Sequence, residues 1–207
     1  MKPFFIPCSR PSRFSILVCA LAAAMALSTR AFADTYRIDE DHTSISFSVK
    51  HMMLFDVKGN FTDFSGTFDF DEKTGVITGA KADITAESVD TRTDERDKVL
   101  RSKDFLDVEK FPHIVFVLKK AESLGENRIH AVGGITIHGI TREIALDGEF
   151  LGSVTDLAGN KRAGFTAAGK LKRGDFGLTW NKPLETGGFL VGEEVKISLE
   201  IEGIKNK

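Results

Sequence analysis

The 207-residue chain has two cysteines, Cys8 and Cys19, and none beyond its first 33 residues. That absence excludes a disulfide framework, a catalytic thiol and a thiolate metal site from everything downstream, so burial alone must hold that part together. Long apolar runs are equally scarce. The one that stands out, Phe14 to Thr29, is about sixteen residues long and falls short of the roughly 20 that span a bilayer. It follows Lys2, Arg10 and Arg13 with no acidic residue among them, and it precedes Ala31-Phe32-Ala33, a small-x-small pattern that a signal peptidase accepts. The expected organisation is a cleaved signal peptide over residues 1–33 and one domain over 34–207, exported from the cytoplasm. Cys19 sits within the apolar run behind Val18, which is the wrong place for a lipidated cysteine.

An excess of positive charge is missing too. The chain has 28 basic and 30 acidic residues, and the four basic residues of the leader, Lys2, Arg10, Arg13 and Arg30, leave 24 against 30 in the remainder. A mildly acidic domain without a basic cluster speaks against nucleic acid and against anionic membrane surfaces as partners. Catalytic and metal motifs are absent as well. There is no H-x-x-x-H pair, no D-x-D-x-D loop, no Gly-rich phosphate loop and no G-x-S-x-G elbow. His42 and His51 read as two residues of one strand on opposite faces, and His130 and His138 as residues of different strands flanking a Gly133-Gly134 break. The expectation is a protein that is not an enzyme and needs no metal or cofactor.

What the chain does have is period-two alternation almost from end to end, the pattern of strands with one buried face. Ile45, Phe47 and Val49 alternate with serines, and Phe64, Gly66, Phe68 and Phe70 with Ser65, Thr67 and Asp69. Ala82, Ile84 and Ala86 continue the pattern, as do Ile144, Leu146, Gly148 and Phe150, then Phe165, Ala167, Gly169 and Leu171, then Val195, Ile197, Leu199 and Ile201. Turn residues at 71–75, 125–127 and 156–160 separate them, so neighbours should run antiparallel. The expected fold is all-β, a single domain of about eight antiparallel strands, which suits a sandwich or a closed barrel. Thr93 to Ser102 breaks the alternation and reads as one short helix over the barrel, with Thr93 or Asp94 as N-cap and Val99 and Leu100 facing inward.

The inward positions mix Phe with small residues such as Gly66, Ala82, Gly133, Gly148 and Ala167. Two interiors fit that mixture: a hollow one that leaves room for a ligand, and a solid one in which Phe and Gly are complementary partners. The run His51-Met52-Met53-Leu54-Phe55 lacks alternation, and its methionines suit either a flexible apolar ligand or the plugging of a core end.

In these segments the sequence resembles the YceI family. The matching words are YRIDEDHTSISFSVKHM from Tyr36, VKGNFTDFSGTF from Val57, TRTDERDKVLRSKDFLDVEKFPHIVF from Thr91, GGITIHGITRE from Gly133 and KRGDFGL from Lys172, in family order over essentially all of 34–207. The resemblance implies an extended lipocalin-type barrel that holds a polyisoprenoid-type amphiphile in the periplasm. The family's hallmark positions fall on Asp39, His42, His51, Arg96-Asp97, Phe105, Pro112, Arg173 and Phe176-Gly177. The expected tail contacts are His51, Met52, Met53, Phe55, Phe64, Phe68, Leu100, Phe105, Phe116, Phe150, Ala167 and Trp180. Arg96, Asp97 and Arg173 are the expected head-group contacts, although Arg96 with Asp97 reads first as a pair tethering the helix. The expected function is to carry or sequester a polyisoprenoid, isoprenoid quinone or similar lipid; the alternatives are a ligand-free structural or stress module and, last, a lipid-modifying enzyme. A membrane donor or acceptor protein and a homodimer stay open as further partners.

Overall fold

The structure, a computed structural model, describes residues 33–207. The expected signal segment lies outside the described residues except for Ala33. Alternating stretches form strands β1 (Asp34–Ile38), β2 (Ser44–His51), β3 (Phe55–Phe61), β4 (Phe64–Asp71), β5 (Val76–Thr85) and β6 (Val89–Asp90). After helix α1 (Asp94–Arg101) come β7 (His113–Gly125), β8 (Arg128–Ile137), β9 (Ile140–Thr155), β10 (Lys161–Lys172) and β11 (Val191–Lys205). All pairings are antiparallel, and the order β1-β4-β5-β7-β8-β9-β10-β11 closes on itself through β1 and β11, giving the eight-stranded barrel.

Closure depends on the length of β11. Its C-terminal part pairs with β1 (Tyr36 opposite Lys205), whereas its N-terminal part pairs with β2 (Ile197 opposite Phe47). Strands β1 and β2 thus lie along one long neighbour, broken by a 3-10 turn at Glu40–His42. His42 therefore sits in that turn, not on a strand with His51. Strands β2, β3 and β6 continue the sheet from β11, and β6 pairs only with Asn60 and Phe61 of β3. The remainder of this side is covered by α1 and the segment that follows it, which is how the chain places a helix over the barrel.

The turns follow local chemistry. Asp71 Oδ1 accepts from the Lys73 N–H (2.9 Å), and Asp156 Oδ1 accepts from the Ala158 and Asn160 N–H groups (2.9 and 2.8 Å). Glu126 and Asn127 both have positive φ, as the tight hairpin between β7 and β8 demands. A second such hairpin, His138-Gly139, joins β8 to β9. The expected break at Gly133-Gly134 is not one: both glycines lie inside β8, and the Phe116 ring occupies the place of a Gly133 side chain, 2.4 Å from where its Cβ would be.

One end of the barrel is a solid aromatic core. Tyr36 stacks on Phe68 (5.1 Å between ring centroids), Phe165 meets both Phe68 (5.3 Å) and Phe70 (4.9 Å), and Phe150 closes the group against Phe70 (4.8 Å). Tyr36 and Phe70 are fully buried.

Candidate functional site

Beyond this core the barrel is hollow. A cavity of about 720 Å³ runs from Phe68 and Phe165 up to Phe105, Trp180 and helix α1, a size within the range of small-molecule sites. Every residue of β2 has intermediate burial, although its sequence alternates perfectly. Ile45, Phe47 and Val49 line the cavity, and Phe47 also meets the Phe61 ring of β3 (5.6 Å between centroids). Ile197 and Leu199 of β11 line it beside them, and Ile114 and Phe116 of β7, Ile135 of β8, and Ile144 and Leu146 of β9 line the rest of the ring. Strand pleating puts these residues on one face, and the ring of strands turns that face inward.

Several polar residues of the wall lie at the helix end. Lys50, His51, Glu95 and Arg96 all reach it. Arg96 Nε donates to Thr91 Oγ1 (2.7 Å), and its Nη2 donates to the Thr91 carbonyl (2.7 Å) and to Thr93 Oγ1 (3.1 Å); Nη1 has no partner among the described residues. Arg173 is committed elsewhere. Its Nε donates to the Gly192 carbonyl (3.0 Å) and its Nη1 to the Leu178 and Trp180 carbonyls, which clamps the β10–β11 connection and places Trp180 against Phe105 (5.3 Å). Asp97 is buried and accepts from the Thr91 N–H (2.9 Å) and Oγ1 (2.5 Å). It anchors the helix and has no place on the wall.

The expected contacts thus divide. His51, Phe68, Leu100, Phe105, Phe116, Ala167, Trp180, Arg96 and Arg173 line the cavity. Phe64 and Phe150 belong to the packed core instead, where alternation alone could not separate them from cavity residues. Met52, Met53 and Phe55 are exposed at a hairpin tip, since the β2–β3 turn carries them past the end of the barrel wall. They neither line the cavity nor plug the core. Missed as contacts were Val57 and Phe61 of β3 and the inward residues of β2 and β11; the alternation of β2 and β11 was legible, that of β3 was not, and only the closure of the ring shows that they line one space.

Polar residues gather at one further place. Asp39, His42 and Glu202 offer ligand atoms within 4.8 Å of one another. His42 Nδ1 lies 2.9 Å from Asp39 Oδ2, and Arg162 Nη1 donates to both Asp39 and Glu202 (2.5 Å each), so a guanidinium already compensates the two carboxylates.

Residues 36–203 match the YceI-like domain. The chain is 35% identical over 195 residues to protein YceI of Salmonella newport, covering 93% of this chain and 98% of that protein. Among solved structures it is similar to the Campylobacter jejuni YceI protein (TM-score 0.67, 30% identity, 76% of this chain and 90% of that one). Its fold is also that of a polyisoprenoid binding domain from Saccharophagus degradans (TM-score 0.59, 14% identity, 84% of this chain and 99% of that one). By the extent of the domain match and the identity to the Salmonella protein, the chain belongs to the YceI-like family.

Proposed function

We propose that this protein binds one amphiphile with a long apolar tail, a polyisoprenoid or isoprenoid quinone, and carries or sequesters it in the periplasm after cleavage before Asp34. The observation that carries this reading is the apolar cavity of about 720 Å³ beside a core that is otherwise close-packed. Burying roughly ten methylenes contributes about 8 kcal/mol at ~0.8 kcal/mol each, enough to exceed an association cost of several kcal/mol once the tail is a little longer. The related fold of a polyisoprenoid binding domain supports the same ligand class. Binding of this kind asks for no metal and no prosthetic group.

Trp180 is the sole tryptophan of the chain and lies on the wall, so its fluorescence reports occupancy. A conjugated polyene lipid should quench it saturably at one molecule per barrel. Ala167→Phe, which fills cavity space, should weaken that binding by about tenfold or more while leaving the urea midpoint nearly unchanged. Unquenched Trp180 at saturating polyene would overturn the proposal.

A further inference from the structure

The β2–β3 turn presents Met52, Met53, Leu54 and Phe55 to solvent, with exposures rising from 44% at Met52 to 72% at Phe55. Four bulky apolar side chains in a row on a protruding turn are unusual for a surface without a partner. The turn is built, not frayed. Met52 and Met53 hold positive φ (52° and 61°), the Met52 N–H donates to the Leu190 carbonyl (2.8 Å), and the Leu54 N–H donates to the His51 carbonyl (3.1 Å). A second loop lies against it: a Pro183–Phe189 bridge closes a small hairpin whose Gly188 comes within 3.1 Å of Met53 Cγ at its Cβ position, and Phe189 is exposed as well.

The tip and the cavity are continuous along the backbone. His51 precedes Met52 and lines the cavity, and so does Leu190, the residue after Phe189. Behind the tip stands Trp180, with Lys182 Nζ over its ring at 5.8 Å, an aromatic-and-lysine pair of the kind found at membrane interfaces. We propose that this double-loop tip inserts into the surface of a lipid bilayer and that the barrel exchanges its ligand there, an inference that rests on the lipid-binding reading above. Consecutive exposed apolar side chains on a turn are placed to enter an apolar phase such as the headgroup–acyl boundary of a bilayer. Its charges are few and of both signs: Lys182 and Glu185 stand in or beside the second loop, and the nearby Lys50 and Lys196 both pair with Asp56 (3.3 and 3.8 Å), so attachment rests on apolar contact and needs no anionic lipid. Another exposed apolar group, Leu151 and Val154 of β9 with Leu157 of the β9–β10 turn, lies by the aromatic core, which stands between it and the cavity.

The test is co-sedimentation of the protein with phosphatidylcholine vesicles at low and high salt. Wild type should sediment with them at both. Leu54→Asp/Phe189→Asp should lower the partition coefficient by about tenfold or more, and Leu157→Asp should leave it within about twofold, both variants keeping the wild-type urea midpoint. With a polyene lipid preloaded in the vesicles, the double variant should quench Trp180 about tenfold more slowly, yet reach wild-type quenching when the polyene is added from ethanol. Wild type that stays in the supernatant, or a double variant that partitions normally, overturns the inference. So does wild type that dimerises in sedimentation velocity while the double variant is monomeric, since the tip is then a contact between two copies. Absence of quenching by polyene from ethanol refutes the lipid-binding reading instead, and the vesicle partition still decides the tip.

Discussion

Arg162 gathers three carboxylates on one guanidinium, and in doing so it fastens the joint between β1 and β2 to β10 and β11. Nε donates to Asp156 (2.8 Å), and Nη1 donates to Asp39 and Glu202. Burial pushes the Asp39 carboxyl up, but the hydrogen bonds from Arg162 and His42 outweigh it, so the group sits below the usual carboxylate range. Asp156 is held well below that range, first by Arg162 and then by the Asn160 N–H. A carboxyl depressed by folding contributes stability that is present above its unfolded pKa of about 4 and is lost as pH falls through the folded value. The urea midpoint should therefore fall below about pH 4, and Arg162→Leu should lower it at pH 7 while making that acid limb shallower, because the variant has less of this contribution to lose. Parallel acid limbs in the two proteins would contradict the assignment. Tyr36 presents the opposite case. Its hydroxyl is buried with no hydrogen-bond partner among the described residues, while its ring stacks on Phe68. Tyr36→Phe should be neutral or stabilising within about 1 kcal/mol, and Tyr36→Ala should cost about 3–5 kcal/mol, both read from denaturant midpoints.

At the scale of elements, α1 is the part held least by apolar burial. Its one fully buried residue is Asp97, so a carboxylate and not a hydrophobic stripe docks it. Arg101 adds hydrogen bonds to the Glu87 and Val89 carbonyls (2.7 Å each). Asp97→Ala should cost about 1–3 kcal/mol and, in hydrogen exchange, speed the amides of 94–108 while those of β8 to β10 stay protected. Uniform loss of protection would show that α1 and the barrel open as one unit. The helix was legible in the sequence because Thr93 to Ser102 breaks the strand alternation, and Val99 and Leu100 do reach the cavity. Asp97 as anchor was not legible, since a charged residue on a short helix ordinarily reads as solvated. Strands with clean alternation, such as Ser44–His51 and Lys161–Lys172, were equally plain. Others escaped for separate reasons: β1 is only five residues long, β3 alternates around Lys58 and Asn60 with Gly59 inward, and the hairpin at His138-Gly139 starts with a residue seldom used in turns.

For the molecule as a whole, a mixture of Phe and Gly was compatible with a hollow or a solid interior, and the barrel contains both. At Gly133 and Gly203 a Phe ring, Phe116 or Phe68, fills the space a side chain would take, so these glycines accommodate aromatic packing. Gly148 borders the cavity, yet a Cβ there would lie 2.3 Å from the Thr166 carbonyl oxygen, so it serves the approach of β9 to β10 and cannot be enlarged without moving backbone. Ala167 lines the cavity, as do Ala80, Ala82 and Ala131, which makes it a position for filling variants. No count of small residues could separate these roles, because each depends on which neighbour the closed ring brings opposite. The central claim, a single apolar lipid held in this cavity, is tested most directly by native mass spectrometry of the protein purified under mild conditions from its own cells, followed by organic extraction. The account predicts a species heavier than the polypeptide by one long-chain isoprenoid-type lipid, released on extraction and diminished in Ala167→Phe. A preparation whose mass is that of the bare polypeptide, and which takes up no such lipid when offered it, would contradict it.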